Sequence, residues 1–239
     1  MQSHFFVAGA TGYTGNAVVK YLSELGIACT AHIREHSANL DTKRAQLESY
    51  GATVVVTPWT AEKIQGLLLN CQPTHVVSAL GITKSGAKKE HARLGTAPTY
   101  SSVDRDLSLM IYTAATELEQ PPRFVFVSSM GADGAQNNYI RARYEVEQTI
   151  LNGALPYFIA RPGFITGSDR PESRPLEQGA AMIWDAALTS LSWVGFRKLR
   201  QNYASMSATT LATSLVRHAL HNQPNQILTP QNLRNPPQG

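Results

Sequence analysis

The chain has 239 residues, 43% of them hydrophobic and 16% charged, with 17 Gly and 13 Pro. That length suits one large α/β domain, and the composition excludes a disordered or low-complexity chain. The formal charge of +4 comes with one local basic cluster, Lys84, Lys88, Lys89 and Arg93, diluted by Glu90; with no aromatic platform or helical basic stripe, it reads as a solvated loop and not as a nucleic-acid surface.

The longest apolar-leaning segment, Ala180 to Phe196, is interrupted by Asp185, Thr189, Ser190 and Ser192 and falls short of a membrane-spanning helix. The opening MQSHFFVAG lacks a basic start, an apolar run and a small-residue cleavage site, so no secretory leader is expected. Cys29 and Cys71 lie in apolar-flanked segments without metal or redox spacing, which suits buried thiols in a reducing, cytoplasmic setting. None of the seven His residues forms a ligand set with cysteines or carboxylates, so no metal is expected.

The predicted elements alternate along the chain. His4 to Ala8 is a short apolar run ending in glycines, hence a buried strand. Gly15 to Leu25 places Ala17, Val18, Tyr21, Leu22 and Leu25 at helical spacing and stops at Gly26. Ile27 to Ile33 is a strand, Ser37 to Tyr50 a helix closed by Gly51, Thr53 to Val56 a β-branched strand, and Ala61 to Leu69 a helix. His75 to Leu80 is the fourth strand and Ser101 to Glu119 a long helix. Phe124 to Val127 is a strand, Arg141 to Leu151 a helix, and Tyr157 to Ala160 a strand.

Beyond Arg161 the pattern loosens into a polar loop, Arg170 to Pro175. Helices follow at Leu176 to Leu191, whose Met182, Ile183, Trp184, Ala187 and Leu188 suit core packing or a lid, and at Ala208 to His221. The tail Pro230 to Gly239 reads as frayed. Apolar strands separated by helices imply a doubly wound α/β fold, a parallel sheet covered on both faces. The expectation is a single doubly wound domain over residues 1–239, with 164–205 as a substrate or lid region packed on it.

The most informative stretch is Gly9-Ala10-Thr11-Gly12-Tyr13-Thr14-Gly15, where the first strand hands over to the first helix. Gly9 would make the tight turn, Gly12 would let a pyrophosphate approach the backbone, and Gly15 would let helix and strand pack closely. The helix N-terminal N–H groups then face an anion, so this βα turn predicts dinucleotide binding. The second strand ends in Arg34, where an NAD site would carry an acid for the ribose 2′-hydroxyl. A guanidinium suits a 2′-phosphate, which favours NADP(H); Glu35, one residue on, should point the other way.

Ser128 and Ser129 end the fifth strand, at the edge where doubly wound folds bind ligands. Tyr139 and Arg143, four residues apart, share one helix face. Carbonyl reduction needs a hydride donor, a proton donor and a group polarising the oxygen. A phenol, with a pKa of about 10, becomes a better proton donor near neutral pH when an adjacent cation lowers that pKa. Tyr139 is thus the candidate acid, Ser129 the hydrogen-bond donor to the carbonyl, and Arg143 the cation that also holds ribose hydroxyls.

These motifs resemble the atypical short-chain dehydrogenases/reductases, close to the HIV Tat-interacting-protein (oxidoreductase-like) group and more distantly the NmrA-like proteins. The resemblance runs from residue 4 to about 176. It rests on the three glycines, Ala79-Leu80-Gly81-Ile82-Thr83-Lys84, Val103-Asp104-Arg105-Asp106, and Val127 through Asp133. Tyr139 through Glu147, Arg161-Pro162-Gly163 and Glu172-Ser173-Arg174-Pro175 complete it.

The resemblance implies a Rossmann fold with bound NADP(H) and a Ser/Tyr/Lys active site, with Ser129 and Tyr139 in the serine and tyrosine places. Arg143 stands in the lysine's place, and Asp104 where many relatives carry Asn. The cofactor would also be lined by Ala79, Leu80, Gly81, Ser128 and, along the nicotinamide, Arg161, Pro162 and Gly163.

Two functions are compatible with these residues. One is an NADPH-dependent reductase of a small carbonyl or quinone-like substrate, favoured by the intact Ser and Tyr. The other is an NADP(H)-occupied redox-sensing or regulatory module with little turnover, favoured by Arg143. A protein partner or a homodimer is not readable from the sequence.

Overall fold

A computed structural model describes residues 2–134, 137–166, 205–221 and 225–237. The predicted helix Leu176 to Leu191, the Glu172–Pro175 motif and most of the 164–205 region lie outside the described residues. One seven-stranded sheet runs in the order β3-β2-β1-β4-β5-β6-β7. Its strands are β1 His4–Ala8, β2 Ala28–Ile33, β3 Thr53–Val56, β4 His75–Ser78, β5 Arg123–Val127, β6 Tyr157–Ala160 and β7 Gln226–Leu228. Every neighbouring pair is parallel. The chain steps outward from β1 to β3 and then returns to pair β4 with β1. This reversal opens a crevice at the carboxyl ends of β1 and β4, where folds of this kind take their ligands.

The strands are apolar throughout because helices cover both sheet faces. Phe5 and Val7 of β1 point into one core, with Val18, Val19 and Leu22 of α1 (Tyr13–Glu24) and Leu211, Leu215 and Val216 of α7 (Ala208–Leu220). Phe6 and Ala8 point into the other core. There they meet Ile64 and Leu68 of α3 (Ala61–Cys71), Ile111 and Ala115 of α5 (Asp106–Thr116), and Val146 and Ile150 of α6 (Asn138–Leu151). Helix α2 (Leu40–Ser49) adds Leu47 to the first core. Each fully buried aliphatic side chain contributes about 1.5–3 kcal/mol. Among the described residues no helix is long and apolar enough to cross a membrane.

Three local expectations are corrected. The lysine-rich stretch read as a solvated loop is a helix, α4 (Lys84–Leu94), capped by the Thr83 side chain on the Gly86 N–H at 3.0 Å and stopped by Gly95 at φ +75°. The long helix Ser101 to Glu119 opens as a π-helical turn, Ser101–Arg105, before α5 takes over and ends at Thr116. In the tail, Pro230–Arg234 is a short helix, α8, whose capping box pairs Thr229 with Asn232. β7 is an additional strand on the sheet's far edge.

Candidate functional site

The glycine turn is built so that side chains are excluded. Gly9 has φ +82°, and a Cβ there would lie 2.6 Å from the Ala79 carbonyl oxygen. A Cβ on Gly15 would lie 2.1 Å from the Gly9 carbonyl oxygen, so only glycine lets α1 pack this closely on β1. Gly12 donates its N–H to the Gly9 carbonyl at 2.9 Å. It also serves as N-cap of α1 and, as a glycine, offers that helix no side-chain cap. Ala10 is buried while Thr11, Tyr13 and Thr14 are half-buried and Gly12 is exposed. This cradle fits a dinucleotide's pyrophosphate, which needs close backbone approach and several N–H donors. Ala79, Leu80 and Gly81 leave β4 beside it, with the Ala79 N–H on the Ala8 carbonyl at 3.0 Å.

Arg34 leaves β2 and is gripped by Glu90 of α4: Nη1 donates to Oε1 at 2.7 Å and Nη2 to Oε2 at 3.3 Å. Arg93 of the same helix donates to the His36 carbonyl and lies 3.9 Å from Glu90. Glu35 turns instead to the exposed His36, 3.1 Å away. Beneath Arg34, His32 is buried, with Nε2 near the Thr57 carbonyl and hydroxyl at 3.2 and 3.0 Å. Burial pushes its pKa down to about 4, helped by the Arg34 charge and opposed by the Thr57 carbonyl.

Arg143 is also engaged. Only 5% exposed, it donates through Nη1 to the Val127 carbonyl at 2.7 Å, and through Nη2 to the Leu80 carbonyl at 2.9 Å and Asp104 Oδ1 at 2.6 Å. Asp104 Oδ2 accepts the Ile82 N–H at 3.0 Å. Burial raises the Asp104 pKa, opposed by Arg143 and by the Ile82 N–H. The guanidinium therefore ties the exits of β4 and β5 to the π-helical turn, and a Cβ on Gly81 would reach Arg143 Nη2 at 2.6 Å. Its carbon lies 5.4 Å from the Tyr139 ring centroid, so Tyr139 and a cation do meet.

Ser129 is half-buried at the end of β5, its hydroxyl 3.4 Å from the Met130 carbonyl. Ser128 is directed elsewhere: its hydroxyl donates to buried Glu147 at 2.5 Å. Arg161 grips the same carboxylate, Nη2 to Oε2 at 2.6 Å, and reaches Asp133 at 3.2 Å. Pro162 accepts the Met130 N–H at 2.9 Å, which sets Gly163 and the β6 exit against the β5 exit.

Beside this assembly lies a cavity of about 380 Å³, lined by Ile82, Thr83, Ala87, Pro98, Tyr100 and Asn138 among others. Tyr100 packs edgewise on Tyr139, ring centroids 5.2 Å apart. Sequence reasoning missed Glu90, Glu147 and Tyr100. The signal available for Glu90 was the pair Thr83 and Gly95, a cap and a stop bracketing eleven residues.

The strand order, the switch-point crevice and the glycine cradle define a dinucleotide-binding protein of the Rossmann type. The family of NAD(P)H-binding proteins matches residues 9–183, and the chain belongs to it. Solved structures agree on the fold. WbmG of Bordetella bronchiseptica, determined with NAD, superposes with a TM-score of 0.65 at 11% identity, over 95% of this chain and 72% of that one. WbmH of the same organism, with NAD+, gives 0.62 at 15%, over 92% and 72%. A Bacillus halodurans protein named, by inference, as an NAD-dependent epimerase/dehydratase gives 0.61 at 16%, over 97% and 98%. No curated protein matches the chain in sequence.

Proposed function

We propose that the protein is an NADP(H)-dependent reductase of a small carbonyl or quinone-like compound, of the short-chain dehydrogenase/reductase type. The observation that carries this reading is Tyr139, its ring centroid 5.4 Å from the Arg143 guanidinium carbon and 5.2 Å from the ring of cavity-lining Tyr100. NADPH, when bound, supplies a hydride to the substrate carbon. Tyr139 gives the proton that completes the hydroxyl, and the Ser129 hydroxyl donates a hydrogen bond to the oxygen as charge develops on it. Arg143, held by Asp104, keeps positive charge beside the phenol. The glycine turn, Ala79 to Gly81 and the Arg161–Gly163 segment line the cofactor, with Arg34 on its 2′-phosphate.

The motif set noted above supports kinship with the HIV Tat-interacting-protein group. The whole chain then forms one domain, with 164–205 shaping the substrate side. The two cysteines are unpaired, which fits a reducing compartment such as the cytoplasm.

A second reading, a redox-sensing module without turnover, draws on the same Arg143: three of its four Nη N–H groups go to Asp104, Leu80 and Val127. NADPH consumption over a panel of aldehydes, ketones and quinones separates the two. Turnover that Tyr139→Phe abolishes while NADPH affinity stays within about threefold supports the reductase. NADPH binding with no turnover over the panel favours the module.

A further inference from the structure

The Arg34–Glu90 pair is unusual in its surroundings. Glu90 has a side chain only 12% exposed, held by both Arg34 nitrogens and facing Arg93 at 3.9 Å. Lys43, half-buried, donates to the Ser37 hydroxyl at 3.3 Å; burial lowers its pKa, helped by the Arg34 and Arg93 charges and opposed by Glu90. Two guanidinium groups thus face one carboxylate, at 2.7 and 3.9 Å, one positive charge more than Glu90 can match. A phosphate monoester carries about −1.5 to −2 at neutral pH and presents the paired oxygens that a guanidinium fork accepts. The cluster suits a dianion better than it suits Glu90.

Helix α4 carries that carboxylate across the crevice. It begins at Thr83, just past β4, and is pinned by Glu90 and Arg93 to residues just past β2. Lys84 to Glu90 rises about 9 Å along a helix, and β2 and β4 are two strand spacings apart, about 9.6 Å. The helix therefore passes over the carboxyl end of β1, where the glycine turn lies. None of its described side chains is buried, so polar contacts hold it down.

We propose that Glu90 is an internal counter-ion occupying the place of the cofactor's 2′-phosphate, so that NADP(H) binds by displacing Glu90, and α4 with it, from Arg34. The inference rests on the NADP(H) reading and makes Glu90 a determinant of affinity for the 2′-phosphorylated cofactor.

The test is calorimetric titration of wild type, Arg34→Ala and Glu90→Gln with 2′,5′-ADP and 5′-AMP at low salt. Glu90→Gln should bind 2′,5′-ADP about tenfold more tightly and 5′-AMP within twofold of wild type. Arg34→Ala should erase the preference for 2′,5′-ADP. If wild type shows no preference for 2′,5′-ADP, the NADP(H) reading fails; if the preference exists and Arg34→Ala leaves it intact, the 2′-phosphate does not lie on Arg34 and the counter-ion role is overturned. If Arg34→Ala erases it while Glu90→Gln leaves 2′,5′-ADP affinity unchanged or lower, the reading stands and the counter-ion role is overturned. Hydrogen exchange on the wild type needs no variant. Saturating 2′,5′-ADP should speed exchange across residues 84–94 and 5′-AMP should not; unchanged or increased protection with 2′,5′-ADP overturns the displacement.

Discussion

Replacing Arg143 by lysine keeps the charge and removes the fork. Arg143 uses two nitrogens to satisfy three acceptors, the carbonyls of Val127 and Leu80 and the Asp104 carboxylate, at 2.6 to 2.9 Å. A single ammonium on a flexible stem can hold Asp104 but cannot span both carbonyls. Each buried acceptor left without a partner costs about 1–3 kcal/mol, so Arg143→Lys should lose about 2–6 kcal/mol of a stability that is typically about 5–15 kcal/mol. Arg143→Met should lose as much or more, since an unpaired buried carboxylate costs about 3–5 kcal/mol. Pairing Arg143→Met with Asp104→Asn should recover part of that loss. Urea unfolding followed by circular dichroism, without cofactor, measures all four proteins. An Arg143→Lys variant within about 0.5 kcal/mol of wild type that instead binds NADPH poorly would refute the clamp and return Arg143 to the ribose.

Gly15→Ala, whose Cβ would fall 2.1 Å from the Gly9 carbonyl, should lose about 3 kcal/mol and its NADPH binding, read by unfolding and titration. Gly66→Ala, inside α3 with nothing within 4 Å of its Cβ, should instead gain about 0.5–1 kcal/mol; matching losses would show that the close approach at Gly15 is not the cause. Burial holds His32 and His75 to pKa values of about 4, against 6.5 for the ordinary group. Below pH 6.5 the unfolded chain takes these protons first, so stability falls as the pH drops from about 6.5 to 4, by up to about 3 kcal/mol per histidine. Urea midpoints of wild type and His32→Asn at pH 7.5 and 4.5 test this: the variant should lose less between the two, and an equal loss would exonerate His32.

The elements that reached the sequence surface are those with local signatures. β1 and β5 are apolar after their first residue and β6 throughout, and the glycines at 9, 12 and 15 mark their turn by spacing alone. Helix α4 did not show because it has no apolar stripe; its docking comes from Glu90 and Arg93 meeting partners on another segment, Arg34 being 56 positions from Glu90. Arg143 was legible as a cation near Tyr139, one helical turn away. Its partners at Leu80 and Asp104, 63 and 39 positions distant, were not. Ser128 and Arg161 read as crevice residues by strand position, yet both are directed to Glu147, a buried acid whose role only the fold reveals. β7 is three residues long and too short for any periodicity to register.

The helix that carries the glycine turn depends on the far end of the chain. α1 and α7 share the first core, and the Arg217 Nε–H reaches the Tyr21 hydroxyl at 2.9 Å across 196 positions. During synthesis at about 5–20 residues per second, α1 waits roughly 10 to 40 s after leaving the ribosome before its packing partner is made. Through that interval Val18, Val19 and Leu22 have no α7 to cover them. A nascent chain arrested before residue 208 should therefore hold a turn of the right sequence on a helix still lacking its support, and be a client for chaperones that bind apolar helices.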